Sequence, residues 1–150
     1  MAFLKEIQVP NIQVVNYEKE IGRDWETQYR NWATPKAALA LLVALQSHRG
    51  LSRESQALLL KLMAEVITGP KRLKGELPAE TVVARKTGTG GTRNGITSAT
   101  NDIGIITLPD GRHLAVAAFV SDSAADDDTR DAIIARLAKA AWDRGQSPGR

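Results

Sequence analysis

Two consecutive segments in the middle of the chain carry apolar residues at helical spacing. The first, residues 37–45, is apolar on nearly every side, which is typical of a buried helix, and Thr34 with the proline after it gives a capped start. The second follows Ser52 and carries one wide apolar stripe made of Leu58, Leu59, Leu62, Met63 and Val66. We predict a helical pair over residues 34–69 that packs together and ends at the breaker pair Gly69-Pro70.

The pattern changes to strand-like runs after residue 80. Residues 81–89, 102–108 and 113–121 are rich in β-branched and other apolar residues, and a Pro-Asp-Gly turn signal joins the last two runs. We therefore predict a three-stranded antiparallel meander over residues 81–121. Because the last strand is apolar on both faces, each face of the sheet needs a cover.

The carboxyl-terminal segment predicts a helix that provides one of these covers. Three aspartates at residues 126–128 suit the positive end of a helix dipole, and apolar residues follow at helical spacing. We expect this helix over residues 126–143 and a frayed tail over residues 145–150.

The first 33 residues are polar and irregular. Four aromatic residues occur there in no clean period, namely Tyr17, Trp25, Tyr29 and Trp32. A loop of this length in a compact domain is usually functional, and the aromatics favour a packed, Ω-like excursion. The predicted fold class is α/β of the α+β type, with an antiparallel sheet flanked by helices in one domain.

Composition excludes several classes of function. The 150 residues carry a net charge of +3 that is spread over both signs, without the basic, aromatic-interleaved stripe of a nucleic-acid-binding protein. There is no cysteine, and the two histidines lie far apart, so we expect neither a metal site nor a cofactor. No apolar run reaches the roughly 20 residues of a membrane span, and the start lacks the apolar stretch of an export signal.

Residues 85–91 (Arg-Lys-Thr-Gly-Thr-Gly-Gly) are the strongest candidate site, because a strand runs directly into a cation, a hydroxyl and a run of glycines. Lys86 would supply a point charge and Thr87 a hydroxyl donor. Gly88 leaves no side chain to keep a ligand off the strand edge, so an extended acyl compound with a carboxylate could pair there. The plainer alternative is an edge strand with a charged guard residue and a glycine-rich turn.

Several short segments, in this order, resemble the carboxyl-terminal part of class A serine β-lactamases, especially the PER/VEB-type branch. The likeness runs from Phe3 to Trp142. It rests on residues 3–7 (the helix entering the Ω-loop), 29–35 (the loop exit), 68–75 (the stretch before the active-site strand), 86–88 (the Lys-Thr-Gly box), and 100–104 with 108–112 (the rest of the sheet). The resemblance implies a partial β-lactamase/transpeptidase-like fold and β-lactam hydrolysis through an acyl-serine intermediate, which confers antibiotic resistance.

The resemblance also implies roles for individual residues. Glu18 matches the Ω-loop glutamate that activates the deacylating water, and Glu20 is the second choice. Lys86 would favour the bound anion. Thr87 and Thr89 would bind its carboxylate, and the Thr89 backbone N–H would be an oxyanion-hole donor. Arg72 matches an arginine that in several members reaches under the strand toward the same carboxylate.

The sequence departs from the family in one respect. No serine is followed by a lysine three residues later, and no Ser-Asp-Asn box is present, so the acylated nucleophile of the mechanism has no match here. We expect a β-lactamase without its front half, which would be a partner of this chain and would include the export signal of a periplasmic or secreted enzyme. The helix over residues 37–45, apolar all round, would then lose part of its cover, which would cause marginal stability or association. Two alternatives remain: a relative of the penicillin-binding D,D-peptidases, or a non-catalytic remnant or binding module.

Overall fold

The computed structural model describes residues 2–147. Its helices are α1 (Ala2–Glu6), α2 (Glu18–Ile21), α3 (Pro35–Gln46), α4 (Arg53–Ala64) and α5 (Asp127–Gln146), with a 3₁₀ helix at Glu26–Arg30. Its strands are β1 (Ile12–Gln13), β2 (Trp32–Ala33), β3 (Val83–Thr89), β4 (Thr92–Arg93), β5 (Ile96–Thr107) and β6 (His113–Ser123). The predicted combination of helices with an antiparallel sheet is confirmed.

Strand β5 is the centre of the main sheet. It pairs with β6 along one side and with both β3 and β4 along the other. The pairs Thr89↔Thr100 and Thr92↔Thr97 keep one register, so β3 and β4 lie end to end. The prediction of three strands was wrong here, since a short fourth strand is present and β5 begins six residues earlier than expected, at Ile96.

A tight turn accounts for this difference. Asn94 and Gly95 both have positive φ, 52° and 76°, which is the backbone of a type I′ hairpin turn favoured by Asn-Gly. This two-residue turn reverses the chain direction, so β5 starts directly after it and pairs with β4.

The sheet is covered on both faces, because successive side chains of each strand point to opposite sides. One face packs against α5 in a core made of Leu73, Leu77, Val83, Ile106, Leu108, Val116, Ala118, Ile134, Ala138 and Trp142. The other packs against α3 and α4 in a core made of Leu42, Leu45, Met63, Ala84 and Ile105. The predicted cover by the last helix is present, and α3 and α4 provide the second.

Three details of the predicted helices were wrong. The second helix, α4, ends at Ala64 and not at the Gly69-Pro70 pair. In α4 the buried residues are Gln56 and Met63, whereas Leu58 and Leu62 of the predicted stripe are 58% and 54% exposed. The Gln56 side chain is buried because its amide donates to the Leu45 carbonyl oxygen at 2.7 Å, which links α4 to α3.

The last helix is longer than predicted and includes Gly145. Tertiary contacts explain the extension: Gly145 packs beside Leu108, and its carbonyl oxygen accepts a hydrogen bond from Arg112 at 2.6 Å. The predicted frayed tail therefore does not begin at residue 145, and residues 148–150 lie outside the described residues.

Residues 12–33 form a loop that is closed at its neck by the pairing of β1 with β2. Inside the loop, the Asn31 side chain accepts from the backbone N–H groups of Val15 and Asn16 and donates to the Asn16 carbonyl oxygen. The segment predicted as irregular therefore contains short helices and a strand pair. Across residues 2–147, no helix has the length and apolar character needed to cross a membrane.

Candidate active site

An open cleft of about 780 Å³ lies between the loop of residues 12–33 and the outer edge of β3. Glu18 lines it from the loop side. Lys86, Thr87, Gly88 and Thr89 line it from the strand side. The structure therefore brings together all the predicted site residues except Arg72, which lies behind the strand.

The backbone of β3 alternates between the sheet and the cleft. Thr107 N–H donates to the Val82 carbonyl oxygen, and Gly90 N–H donates to the Ala99 carbonyl oxygen, so the even-numbered residues bond to β5. The N–H and C=O groups of Thr87 and Thr89 consequently point to the outer edge. Within residues 2–147 no other strand pairs with that edge. A ligand in the cleft can therefore reach the Thr89 N–H.

The side chain of Lys86 stands at this edge and is exposed. Its ammonium donates to the Thr87 carbonyl oxygen at 2.6 Å. The positive charge is therefore held against the rim of the cleft. The Thr87 hydroxyl is less available, because it is buried and shares a 2.6 Å hydrogen bond with the Thr68 hydroxyl.

Arg72 lies beneath the strand with only 8% of the residue exposed. Its guanidinium donates to four acceptors: the Thr89 hydroxyl at 2.9 Å, the Gly88 and Asn101 carbonyl oxygens at 3.0 and 3.1 Å, and the Asp131 carboxylate at 2.8 Å. The planar fork of arginine suits such divergent acceptors better than a lysine ammonium. Arg72 thus places a guanidinium, paired with the Asp131 carboxylate, directly under the Thr89 side chain.

A second buried arginine lies next to this group. Arg85 and Asp102 form an ion pair of 2.7 Å in which both side chains are almost completely buried. Burial raises the pKa of the Asp102 carboxyl, while the hydrogen bond and the positive charge of Arg85 act in the opposite direction. Neither residue was singled out from the sequence.

The two candidate glutamates differ in their contacts. The Glu20 carboxylate accepts a hydrogen bond from the Tyr17 backbone N–H at 2.9 Å and so caps the start of α2. Glu18 is exposed and lines the cleft, and Glu20 is not among the residues that line it.

The loop is attached to the far end of the sheet by side-chain hydrogen bonds. The Ser98 hydroxyl donates to Gln28 at 2.5 Å, and the Tyr29 hydroxyl donates to the Asp122 carboxylate at 2.7 Å. This hydrogen bond to Asp122 raises the pKa of the Tyr29 hydroxyl. These contacts fix one wall of the cleft.

Other residues that the sequence did not indicate also line the cleft, among them Asn101, Ser98 and Phe119. The Asn94-Gly95 turn was a usable signal for the first two. A two-residue turn at this position pairs residue 93 with residue 96. Continuing the pairing away from the turn places Ser98 opposite Gly91 and Asn101 opposite Gly88.

Known proteins resemble this chain over most of its length. A family model described as "Beta-lactamase enzyme family" matches residues 2–144. The chain belongs to this β-lactamase family. The resemblance to class A enzymes that the sequence predicted is confirmed by the relatives and solved structures that follow.

The extended-spectrum β-lactamase PER-1 of Pseudomonas aeruginosa is 49% identical over 140 residues, which cover 93% of this chain and 46% of the relative. The β-lactamase VEB-1 of the same species is 42% identical over 93% of this chain and 48% of its own length. The chain thus spans about half the length of these curated relatives.

Solved structures show the same relation. The TLA-1 extended-spectrum β-lactamase superposes with a TM-score of 0.95 at 48% identity, covering 97% of this chain and 53% of that one. A class A β-lactamase representative from Bacteroides cellulosilyticus gives a TM-score of 0.93 at 31% identity, covering 98% and 53%. The fold of this chain is therefore that of the matching part of a class A β-lactamase.

Proposed function

We propose that this chain supplies the carboxylate-binding wall and the deacylating base of a serine β-lactamase. The observation that carries the proposal is that Glu18 and the Lys86–Thr89 edge line one cleft although they are almost 70 residues apart in sequence. The substrate would be a β-lactam, whose carboxylate needs a cationic wall and whose ester with the enzyme needs a water and a base.

The strand edge fits the binding part of this role. A substrate carboxylate at the rim would meet the Lys86 ammonium and the Thr89 hydroxyl, which is itself held from behind by the Arg72 guanidinium. The outward N–H of Thr89 is available for the oxygen that becomes negatively charged during acyl transfer. One such donor is worth about 3 kcal/mol of transition-state stabilisation.

Glu18 is the better candidate for the base. Its side chain faces the cleft, whereas the Glu20 carboxylate is occupied by the Tyr17 backbone. A carboxylate in this position can take a proton from a water held between the loop and the strand. This step requires a covalent acyl-enzyme, so the mechanism needs a serine nucleophile.

The serines of this chain do not supply one. Ser98 and Ser121 line the cleft, but neither is followed by a lysine at the third position, and the Ser98 hydroxyl already donates to Gln28. We therefore propose that the nucleophile belongs to polypeptide equivalent to the half of the relatives that this chain does not span. Export to the periplasm or the exterior would follow from the same relationship.

Reconstitution from two parts tests the proposal. This chain is combined with the amino-terminal half of PER-1, and hydrolysis of a chromogenic cephalosporin is followed by absorbance. We expect turnover only from the combination, and a loss of at least about 100-fold in kcat/KM when Lys86 is replaced by Ala. The exposed Lys74→Ala variant is the matched control and should retain activity.

Two results would contradict the proposal. A folded combination that binds the cephalosporin without hydrolysing it would favour a binding module. Slow acylation without deacylation in the unsubstituted combination would favour a peptidase-like protein that needs no base on the loop.

A further inference from the structure

The turn that carries Arg72 is held from below by the buried ion pair. Arg85 Nη1 donates to the Gly69 carbonyl oxygen at 2.9 Å, and Nη2 donates to the Thr68 carbonyl oxygen at 2.7 Å. Asp102 accepts from the Leu73 backbone N–H at 3.2 Å. The pair therefore contacts the backbone of the turn on both sides of Arg72.

The turn itself packs tightly against β3. Gly69 has a φ of +58°, and a side chain there would come within 2.9 Å of Arg72 Cδ and 3.0 Å of Thr87 Cγ2. The turn is thus pressed closely against β3. Thr68 lies on the same turn, and its hydroxyl shares a hydrogen bond with the Thr87 hydroxyl.

We infer that Arg85 and Asp102 are positioning residues: they hold the turn of residues 68–73 against the sheet, so that the Arg72 guanidinium stays beneath Gly88 and Thr89. Neither residue is among those that line the cleft. Their effect on a ligand is indirect and passes through Arg72. The consequence for carboxylate binding rests on the proposed function, whereas the placement of Arg72 does not.

The burial of Arg85 and Asp102 is what would let them hold the turn in place. Arg85 and Asp102 are 2% and 0% exposed, so solvent cannot replace the hydrogen bonds that either one loses. Charged groups that are buried and bonded to backbone restrict the geometry of their partners more than surface ion pairs do. The neighbouring surface pair, Lys71 with Asp128, is 69% and 80% exposed at its side chains and serves as a contrast on the same turn.

The direct test observes the Arg72 Nε–H of the ¹⁵N-labelled chain by NMR. This proton is hydrogen-bonded to Asp131, and its signal is assigned with Arg72→Lys. In Arg85→Lys, which keeps the charge beside Asp102 but loses the fork, we expect its exchange with water to rise at least about tenfold. Lys71→Gln is the matched control and should leave the exchange unchanged.

Asp102→Asn removes the charge from the other side and is the second variant. Dispersion of the backbone amide signals reports whether each variant is folded. An Arg72 Nε–H that keeps its exchange rate in either folded variant would overturn the inference, whatever the function of the chain.

A second measurement follows the ligand. A cephalosporin carboxylate is titrated into the chain, and shifts of the Thr87–Thr89 amide signals give the dissociation constant. We expect Arg85→Lys to weaken binding about tenfold, the equivalent of one hydrogen bond to a charged group. The ester of the same cephalosporin, which lacks the charge, should bind both forms equally.

The double variant Arg72→Lys/Arg85→Lys separates positioning from a general loss of structure. Because Arg85 acts through Arg72, the double variant should bind no more weakly than Arg72→Lys alone. Additive losses would contradict the inference. No binding by the unsubstituted chain would contradict the proposed function instead, and the exchange of the Arg72 Nε–H would still decide the positioning role.

Discussion

Glu18 and Glu20 are two residues apart on the same short helix, yet they have different surroundings. Glu20 turns back to the Tyr17 N–H at its own helix start, a local contact that the position of a glutamate at the third helical residue can indicate. Glu18 faces the cleft. The sequence placed both on a loop with a proposed role, but only the folded chain separates them, because the cleft is formed with a strand far away in sequence.

Asp126 shows that a single carboxylate can make the stability of this chain depend on pH. It caps α5 by accepting from the Thr129 N–H at 2.7 Å. Hydrogen bonds from the side chain and the backbone of Thr129 lower the pKa of its carboxyl. A lowered pKa in the folded state means that the cap contributes stability above the ordinary aspartate pKa, and that this contribution is lost as the pH falls through the folded-state value.

We therefore predict a pH-dependent difference between the unsubstituted chain and Asp126→Ser, which keeps a capping oxygen but does not titrate. The free energy of unfolding, measured by urea titration, should favour the aspartate near neutral pH. The advantage should shrink as the pH falls below about 4. A difference that stays constant over this range would contradict the assignment of the cap.

At the scale of elements, the hairpin of β4 and β5 sets the register of the whole sheet edge. Its turn residue Gly95 has a φ of +76°, and a side chain there would meet nothing within 4 Å. Any cost of adding a side chain is therefore a backbone cost.

We predict that Gly95→Ala destabilises the chain by about 1–2 kcal/mol, the cost of the left-handed conformation for an alanine. Gly91→Ala is the control, since its added carbon would meet Trp25 at an ordinary 3.5 Å and should change stability by less than about 0.5 kcal/mol. Denaturant unfolding of both variants measures the difference. If the Gly95→Ala and Gly91→Ala variants were equally stable, the left-handed turn at Gly95 would not constrain β5.

The elements themselves were largely predictable, because periodicity and caps report local structure. Both central helices, the strand of the Lys-Thr-Gly box, the last strand and the last helix lie where the sequence predicted them, within a few residues. The errors arose where tertiary contacts decide. Gly145 stays helical because it packs on Leu108, and Gln56 is buried because it bonds to the end of α3.

Part of the candidate site was also predictable, because some of its residues form a local sequence pattern. The cation, hydroxyls and glycine of the Lys86–Thr89 segment can be read directly from the sequence. The candidate roles of Glu18 and Arg72 came from the resemblance to the family. The Arg85 and Asp102 pair was not found, since two opposite charges 17 residues apart give no pattern until the register of β3 and β5 brings them to 2.7 Å.

At the scale of the molecule, α4 presents an apolar face to solvent. Leu58, Leu59 and Leu62 are 58%, 39% and 54% exposed, and they lie on one side of the helix. Clustered exposed leucines favour association. Within residues 2–147, no other residues cover these three leucines.

We predict that the isolated chain associates as its concentration rises, and that Leu58→Gln with Leu62→Gln shifts it toward the monomer. Sedimentation velocity over a range of concentrations measures this. Ile67→Gln is the control, because Ile67 is 87% exposed but lies beyond the end of α4. A chain that is monomeric at every concentration, and that unfolds sharply and reversibly, would contradict the prediction.

We propose that Glu18 and the Lys86 edge act on one bound substrate. Mass spectrometry of the two-part assembly, after mixing with a cephalosporin, tests this by detecting the acyl-enzyme. In Glu18→Gln, acylation should proceed and hydrolysis should stall, so the acyl adduct on the partner's serine accumulates, while Glu20→Gln turns over as the unsubstituted assembly does. Full turnover by Glu18→Gln with no accumulated adduct would contradict the claim.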